Sequence, residues 1–356
     1  PRGKKYYIYS AVYLKNMSND KINISLKEVE DIAQACLVAN GCNDENAKAV
    51  STTIMAAERD GCPGHGLFRL PGYVAALKSG KVDGNASPTF ERVLPSMLRV
   101  DAQNGFAPLP LSIGREPLIE AAREQGVAVM GLIRVHHFSA LWFEIEHLAA
   151  AELCVIGCTA YMPSIPPAGG ALPFFGTNPL AFGWPRKNGL PMIFDMASAA
   201  MARGELMVAA RDGHEVPIGV GLDADGIATS NPQVILDEGV QLPFGGYKGA
   251  NIAMMVELLA AGLLGERFSF EAAECDNKDG GPPQGGEFLL VIDPRRLGGE
   301  NWLDHTEAFF AKMLAIEGVR LPGTRRYDNR AKSLVEGIEV PLKLHATILS
   351  LADEVK

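Results

Sequence analysis

Val127-Ala-Val-Met-Gly-Leu-Ile133 is a continuous apolar run of strand length, the pattern of a strand covered on both faces. It is followed by Arg134-Val-His-His-Phe-Ser-Ala140, a helical stretch from Leu141 to Leu153, and a second apolar run from Cys154 to Thr159. Strand, polar loop, helix and strand make a βαβ unit, and ligands sit at the C-terminal ends of such strands. An α/β fold follows, with residues 134–140 facing a ligand. Upstream, Arg92–Val100 is strand-like, and Pro110–Gln125 reads as a helix closed by Gly126. Downstream, strands are expected at Pro179–Trp184, at Met192–Met196 and at Phe288–Ile292. Leu242-Pro-Phe-Gly-Gly-Tyr-Lys-Gly249 opens an apolar helix to Leu264, and Thr306–Ile316 is another helix. Leu321–Tyr327 is a basic turn before a C-terminal helix, and residues 275–287, rich in Gly, Pro, Asp and Asn, read as a mobile surface loop.

The N-terminal part is helical. Ser25 with Glu28 starts a helix to Asn40, and Asp44 caps a second one that ends at Gly61. Between that helix and a short one at Tyr73–Ser79 lies Asp60-Gly-Cys-Pro-Gly-His-Gly-Leu-Phe-Arg-Leu-Pro-Gly-Tyr73. Glycine and proline set the turns of this loop around one histidine and one arginine. His65 exchanges a proton near neutral pH, and Arg69 grips a carboxylate with a two-pronged fork. A general acid four residues from a carboxylate clamp suits reduction of a small 2-oxo or 2-imino acid. The plainer reading is a helix-to-helix turn with an incidental histidine, and Arg69 at this spacing favours function.

Lys and Arg total 33 against 42 Asp and Glu, a net charge of −9. No basic surplus exists to neutralise nucleic-acid phosphates. No run approaches the 18 or so apolar residues of a membrane span. The six cysteines show no Cys-x-x-Cys pair and read as free thiols of a cytoplasmic protein, Cys154 and Cys158 packing inside a strand. No metal is expected, because His136 and His137 are sequence neighbours without a supporting carboxylate pattern. Neither Gly-x-Gly-x-x-Gly nor the phosphate loop Gly-x-x-x-x-Gly-Lys-Ser/Thr occurs, so any nucleotide is held without the usual loops. Residues 1–16 read as an upstream extension, with Met17 a more natural start.

Six motifs in order carry a resemblance: Arg59-Asp-Gly-x-x-Gly-His-Gly-x-Phe-Arg-Leu-Pro-Gly-Tyr73, His136-His-Phe-Ser-Ala-Leu-Trp142, Phe175-Gly-Thr-Asn-Pro-Leu180, Phe194-Asp-Met-Ala197, Leu242-Pro-Phe-Gly-Gly-x-Lys-Gly249 and Pro322-Gly-x-Arg-Arg-Tyr327. From residue 25 onward the chain resembles the malate/L-lactate dehydrogenase family, whose nucleotide-binding sheet domain is not of the Rossmann type. Within it, the Δ1-piperideine-2-carboxylate/Δ1-pyrroline-2-carboxylate reductases are the most similar branch. The resemblance implies a homodimer, with 25–126 plus 306–356 as a helical substrate and dimerisation domain and 127–305 as the NAD(P)-binding domain, residues 1–24 lying outside both. It implies NADPH or NADH as cofactor and a cyclic imino acid as substrate. His65 matches the proton donor, Glu205 the acid that orients it, Arg69 the carboxylate clamp and Thr177 a substrate contact. Cofactor-lining positions match His137, Phe138, Ser139, Ala140, Leu141, Asp195, Met196, Ala197, Arg203, Gly204, Gly246, Tyr247, Gly323, Thr324, Arg325 and Arg326.

By the residues alone, Asp195 is equally the N-cap of a helix over Ser198–Arg203, and Glu205 a solvated surface charge. The family places serine immediately before the histidine; here Gly64 stands there, so the serine–histidine–acid relay lacks its hydroxyl. A 2-hydroxyacid dehydrogenase and a nucleotide-binding protein without catalysis are the alternatives.

Overall fold

The computed structural model describes residues 20–138 and 140–353. The expected extension at 1–16 and the candidate Ser139 lie outside the described residues. Strand β1 (Lys21–Ile24) leads into α1 (Leu26–Ala39), started by the expected capping box: the Ser25 hydroxyl accepts from the Glu28 N–H and the Glu28 carboxylate accepts from the Ser25 N–H. Helix α2 (Asp44–Arg59) is capped by Asn43 rather than Asp44; the Asn43 side-chain oxygen takes the Asn46 N–H at 2.9 Å. Asp44 falls in the first turn instead, where its charge still complements the helix dipole. Two 3-10 turns, Pro63–His65 and Leu67–Arg69, run straight into α3 (Leu70–Lys78). That helix begins three residues before the expected Tyr73, because Pro71 is tolerated in a first turn.

Strands β2 (Thr89–Leu94) and β3 (Met97–Asp101) form a hairpin where one strand was expected, and α4 (Pro108–Gln125) ends on left-handed Gly126. Then come β4 (Val127–His136), α5 (Leu141–Ala150) and β5 (Cys154–Thr159), the predicted strand–helix–strand unit. Strands β6 (Leu180–Trp184) and β7 (Met192–Met196) follow as read. Helix α6 (Arg203–Asp212), short strands β8 (Gly221–Leu222) and β9 (Ala228–Thr229), α7 (Pro232–Asp237) and β10 (Val240–Gln241) form a small lobe closed on Leu206, Val216, Val220 and Ile235. Helix α8 (Tyr247–Glu257) continues as a π-helical turn over Leu258–Gly262. After α9 (Ser269–Cys275) comes β11 (Gln284–Ile292), so the loop expected at 275–287 is strand from Gln284 and buried at Gly285–Glu287. The chain ends through α10 (Arg295–Gly298), α11 (Trp302–Leu314), α12 (Thr324–Glu336), β12 (Ile338–Pro341) and α13 (Leu342–Asp353). Helix α12 replaces the basic turn expected at Leu321–Tyr327, with Gly323 as its N-cap.

The main sheet has seven strands in the order β2-β3-β4-β11-β5-β6-β7. β4 and β5 run parallel, as a βαβ unit demands, but β11 lies between them and is antiparallel to both. The pairing is therefore split by a strand from late in the chain, which no reading of adjacent segments reveals. The sheet also crosses the expected domain boundary at residue 126, because β3 pairs in parallel with β4, Met97 opposite Val129. The largest core joins α4, α5, β3, β4, β5 and β11 through Leu118, Met130, Leu132, Ile145, Val155 and Leu289. A second core unites α1, α2 and α3 with Ile338, Val340 and Ile348 from the C-terminal segment. Strand β1 seals it by pairing antiparallel with β12.

Candidate active site

The loop expected to hold the chemistry is fixed from three sides. Asp60, fully buried, accepts from Arg330 on α12 through both oxygens (2.9 and 2.5 Å) and from Arg59 at 2.6 Å. Arg330 also reaches Glu146 on α5 with two 2.8 Å bonds. Asp60 thus ties the loop, through Arg330, to α5 and to α12. From below, Glu58 in the last turn of α2 accepts the Leu67 N–H at 2.8 Å, and burial raises its carboxyl to about 7, that N–H partly offsetting it. Gly66 makes room for Glu58: a Cβ there would stand 2.1 Å from Oε1. Cys62 packs against the main core with its thiol 3.9 Å from the Asp60 carbonyl oxygen, and burial pushes that thiol up to about 11.

His65 and Arg69 close successive turns and meet Phe138. His65 Nδ1 lies 3.2 Å from the Phe138 carbonyl oxygen, so Nδ1–H donates and the lone pair is left on Nε2. Arg69 Nε donates to the Gly64 carbonyl at 2.7 Å, and its guanidinium lies over the Phe138 ring at 4.6 Å. Held by Nε and one face, the guanidinium keeps its terminal nitrogens for a ligand. Tyr73 packs edge-on to Phe138 and to Phe106, with ring centroids 4.9 Å apart in each case. The histidine differs from expectation in one respect. Burial, then the positive charge of Arg69, depress its pKa to about 4, and the Phe138 carbonyl only partly opposes this. Without a ligand the imidazole is neutral through the physiological range.

Several of the other candidates gather at the N-terminus of α5. Asp195 at the end of β7 accepts the Trp142 N–H at 3.1 Å, so it caps α5 rather than a helix over Ser198–Arg203, and α6 starts only at Arg203. Burial raises its carboxyl to about 6, with the Trp142 N–H and Arg326 opposing. Arg326 donates to the Ile193 carbonyl at 2.7 Å and lies over the Trp142 ring at 5.4 Å. Ala140, Leu141, Asp195, Gly323 and Arg326 are thereby brought together. His137 is turned inward: Nε2 is 2.8 Å from Thr159 Oγ1.

A second group lies around the small lobe. Arg203 reaches Gln241 at 3.2 Å, the Thr177 carbonyl accepts the Ser198 N–H at 2.7 Å, and Ala197 packs on Ile165 and Phe175. Met196 and Tyr247 are largely exposed. Gly246 and Gly323 stand at the N-termini of α8 and α12 with φ of 62° and 90°, and neither helix has a side-chain cap. The Lys248 and Gly249 N–H groups are taken by the Gly245 and Phe244 carbonyls, and those of Thr324 and Arg326 by the Leu321 and Gly323 carbonyls, so among the described residues it is the Tyr247 and Arg325 N–H groups that are left for phosphate oxygens. These features fit a dinucleotide. Glu205 does not take its expected place: it is exposed in the first turn of α6, and among the described residues no hydrogen bond or ion pair joins it to His65. A backbone carbonyl orients the imidazole in its stead. Sequence reasoning missed Glu58, although an acid in the last turn of a helix, where the dipole disfavours it, was a signal.

The model of the family described as malate/L-lactate dehydrogenase matches residues 24–349. The chain belongs to the malate/L-lactate dehydrogenase family. Over 336 residues it is 44% identical to a Delta(1)-pyrroline-2-carboxylate reductase of Ancylobacter novellus, covering 94% of this chain and 98% of that protein. A Delta(1)-pyrroline-2-carboxylate/Delta(1)-piperideine-2-carboxylate reductase of Pseudomonas aeruginosa is 42% identical over 335 residues, 93% of this chain and 100% of that one. The crystal structure of delta1-piperideine-2-carboxylate reductase from Pseudomonas syringae superposes with a TM-score of 0.89 at 41% identity, covering 93% of this chain and 99% of that one. The split seven-stranded sheet is thus a malate/L-lactate dehydrogenase-family fold, as the six motifs implied. All six cysteines are free, and among the described residues no helix is long and apolar enough to cross a membrane.

Proposed function

We propose that this chain is an NAD(P)H-dependent reductase of cyclic 2-imino acids, converting Δ1-piperideine-2-carboxylate and Δ1-pyrroline-2-carboxylate to L-pipecolate and L-proline. The observation that carries the reading is the placement of His65 and Arg69 on successive turns against Phe138, a proton-handling group beside a carboxylate clamp. The names of the relatives that are 44% and 42% identical support the same substrate class. A bound reduced nicotinamide supplies the hydride that C2 of the imine receives. Arg69, anchored through Nε on Gly64, holds the substrate carboxylate with its terminal nitrogens and fixes C2 in a near-attack pose. His65 Nε2 accepts the N–H of a protonated imine. Once the substrate carboxylate pairs with Arg69, the charge that depresses His65 is neutralised and its pKa moves upward. The imidazole then delivers a proton to an imine that arrives unprotonated. Asp195 and the N-termini of α8 and α12 would hold the dinucleotide.

Assembly as a homodimer belongs to the same proposal, with exposed Phe309, Leu334 and Val335 on α11 and α12 as apolar surface for it. So does a cytoplasmic location, on the strength of six free cysteines. A substrate panel run with each cofactor is the test. Turnover of either cyclic imino acid, with pyruvate and oxaloacetate slow, is the expected result. Turnover of the oxo acids alone makes the protein a 2-hydroxyacid dehydrogenase. A shift of NADPH fluorescence with no turnover makes it a binding protein.

A further inference from the structure

Behind the 137–140 loop lies a buried trio that the proposed reaction does not use. His137 is in that loop, Glu144 is in the first turn of α5 and Glu287 is on β11; one ligand atom from each falls within 4.8 Å of the others. His137 is 5% exposed, Glu144 8% and Glu287 0%. Nδ1 of His137 has no hydrogen-bond partner among the described residues, and the oxygens of Glu287 and Oε2 of Glu144 have none beyond each other. Bare carboxylates in a dry interior are strongly unfavourable unless a cation or a proton neutralises them.

The atoms that are partnered orient the rest. Thr159 Oγ1 is 2.8 Å from the Gly286 carbonyl and 2.8 Å from His137 Nε2. The hydroxyl has one proton, and the Gly286 carbonyl takes it. Nε2–H therefore donates to Thr159, and the lone pair is left on Nδ1. Glu144 Oε1 accepts the Ala140 N–H at 3.0 Å, which sets that carboxylate as well. Metal-binding histidines are held in the same way, with the second ring N–H given to an oxygen.

We propose that His137, Glu144 and Glu287 form a buried site for one divalent transition cation, Zn²⁺ or Mn²⁺. One imidazole nitrogen with two carboxylates is a donor set that both ions take. Two carboxylates against a doubly charged ion leave no net charge in the interior. The ion joins β11 and α5 to the loop whose next residue, Phe138, holds His65, so its role is structural. Sequence neighbours of His137 supplied no carboxylates, and the fold brings them from α5 and from the strand inserted beside β4.

The experiment strips the purified protein with a chelator, dialyses it against micromolar Zn²⁺ or Mn²⁺, and counts metal by mass spectrometry. Glu287→Gln is treated alongside, its fold checked by circular dichroism. About one ion per chain is expected in the wild type, with binding about tenfold or more weaker in Glu287→Gln and a metal-dependent rise in Tm confined to the wild type. No ion retained by the wild type overturns the proposal and assigns protons to the two carboxyls. Equal retention by Glu287→Gln overturns it too, by locating the ion elsewhere. If Glu287→Gln does not fold, Co²⁺ loaded into the wild type decides: one paramagnetically shifted histidine N–H resonance is expected, and its absence refutes ligation by His137.

Discussion

Replacing Arg69 with lysine keeps the charge and removes the geometry. In the structure the guanidinium is held on two sides, Nε donating to Gly64 at 2.7 Å and the planar face lying 4.6 Å from the Phe138 ring centroid, which leaves the terminal nitrogens for the proposed substrate carboxylate. Lysine has no Nε–H to spare and no planar face. Its ammonium makes one charged hydrogen bond to a carboxylate where arginine makes two. Losing one such bond costs about 1.5–3 kcal/mol, which raises KM for the imino acid by about 10- to 150-fold. The Kd for NADPH stays unchanged, because no cofactor contact is assigned to this side chain. The assay is initial-rate loss of NADPH absorbance across substrate concentration, with cofactor binding measured separately by fluorescence. A carboxamide analogue of the substrate provides the internal control, since it cannot engage the fork and should lose little between wild type and variant. An unchanged KM for the acid, or an equal loss for acid and amide, refutes the clamp.

His65→Ala should lower kcat by about two to four orders of magnitude at alkaline pH, where the imine arrives without its proton, and by less at acid pH; a wild-type rate across the whole profile refutes the assignment. Gly64→Ser should be accommodated, because a Cβ at Gly64 meets nothing within 4 Å, and should change kcat by about tenfold or less, some 1.4 kcal/mol, a water at the glycine standing in for the hydroxyl. Activity found only in the serine variant refutes this. Glu58→Gln tests the acid beneath the loop. Burial raises the Glu58 carboxyl from 4.5 to about 7, so between those values the folded chain holds a proton that the unfolded chain releases, and stability falls as pH rises through the window. Glutamine does not titrate, so the variant should gain about 1–3 kcal/mol on wild type near pH 8 and nothing near pH 4; parallel plots of Tm against pH refute it.

Local signals were legible wherever chain neighbours decide the outcome. The Ser25–Glu28 box, the Gly126 stop and the apolar runs at β4 and β5 depend on residues close in sequence, and the structure has them there. Boundaries slipped where a side chain one residue away capped better, as Asn43 does in place of Asp44. The Gly- and Pro-rich approach to β11 hid a strand, because glycines 285 and 286 have low strand propensity and only pairing on both sides stabilises them there.

The sequence by itself determined the family, through six ordered motifs, and it singled out His65 and Arg69, which lie within one loop whose turns are set by local glycine and proline. What it did not contain was anything that depends on distance through space. The insertion of β11 between β4 and β5, the capping of α5 by Asp195, and the hold of the Phe138 carbonyl on His65 join segments far apart in the chain. Charge states followed the same division. An imidazole near a neutral pKa is a property of the residue type, whereas a pKa near 4 is a property of burial beside Arg69. The trio of His137, Glu144 and Glu287 is likewise invisible until β11 takes its place in the sheet, because donor atoms form a site through convergence in three dimensions and no local spacing encodes it.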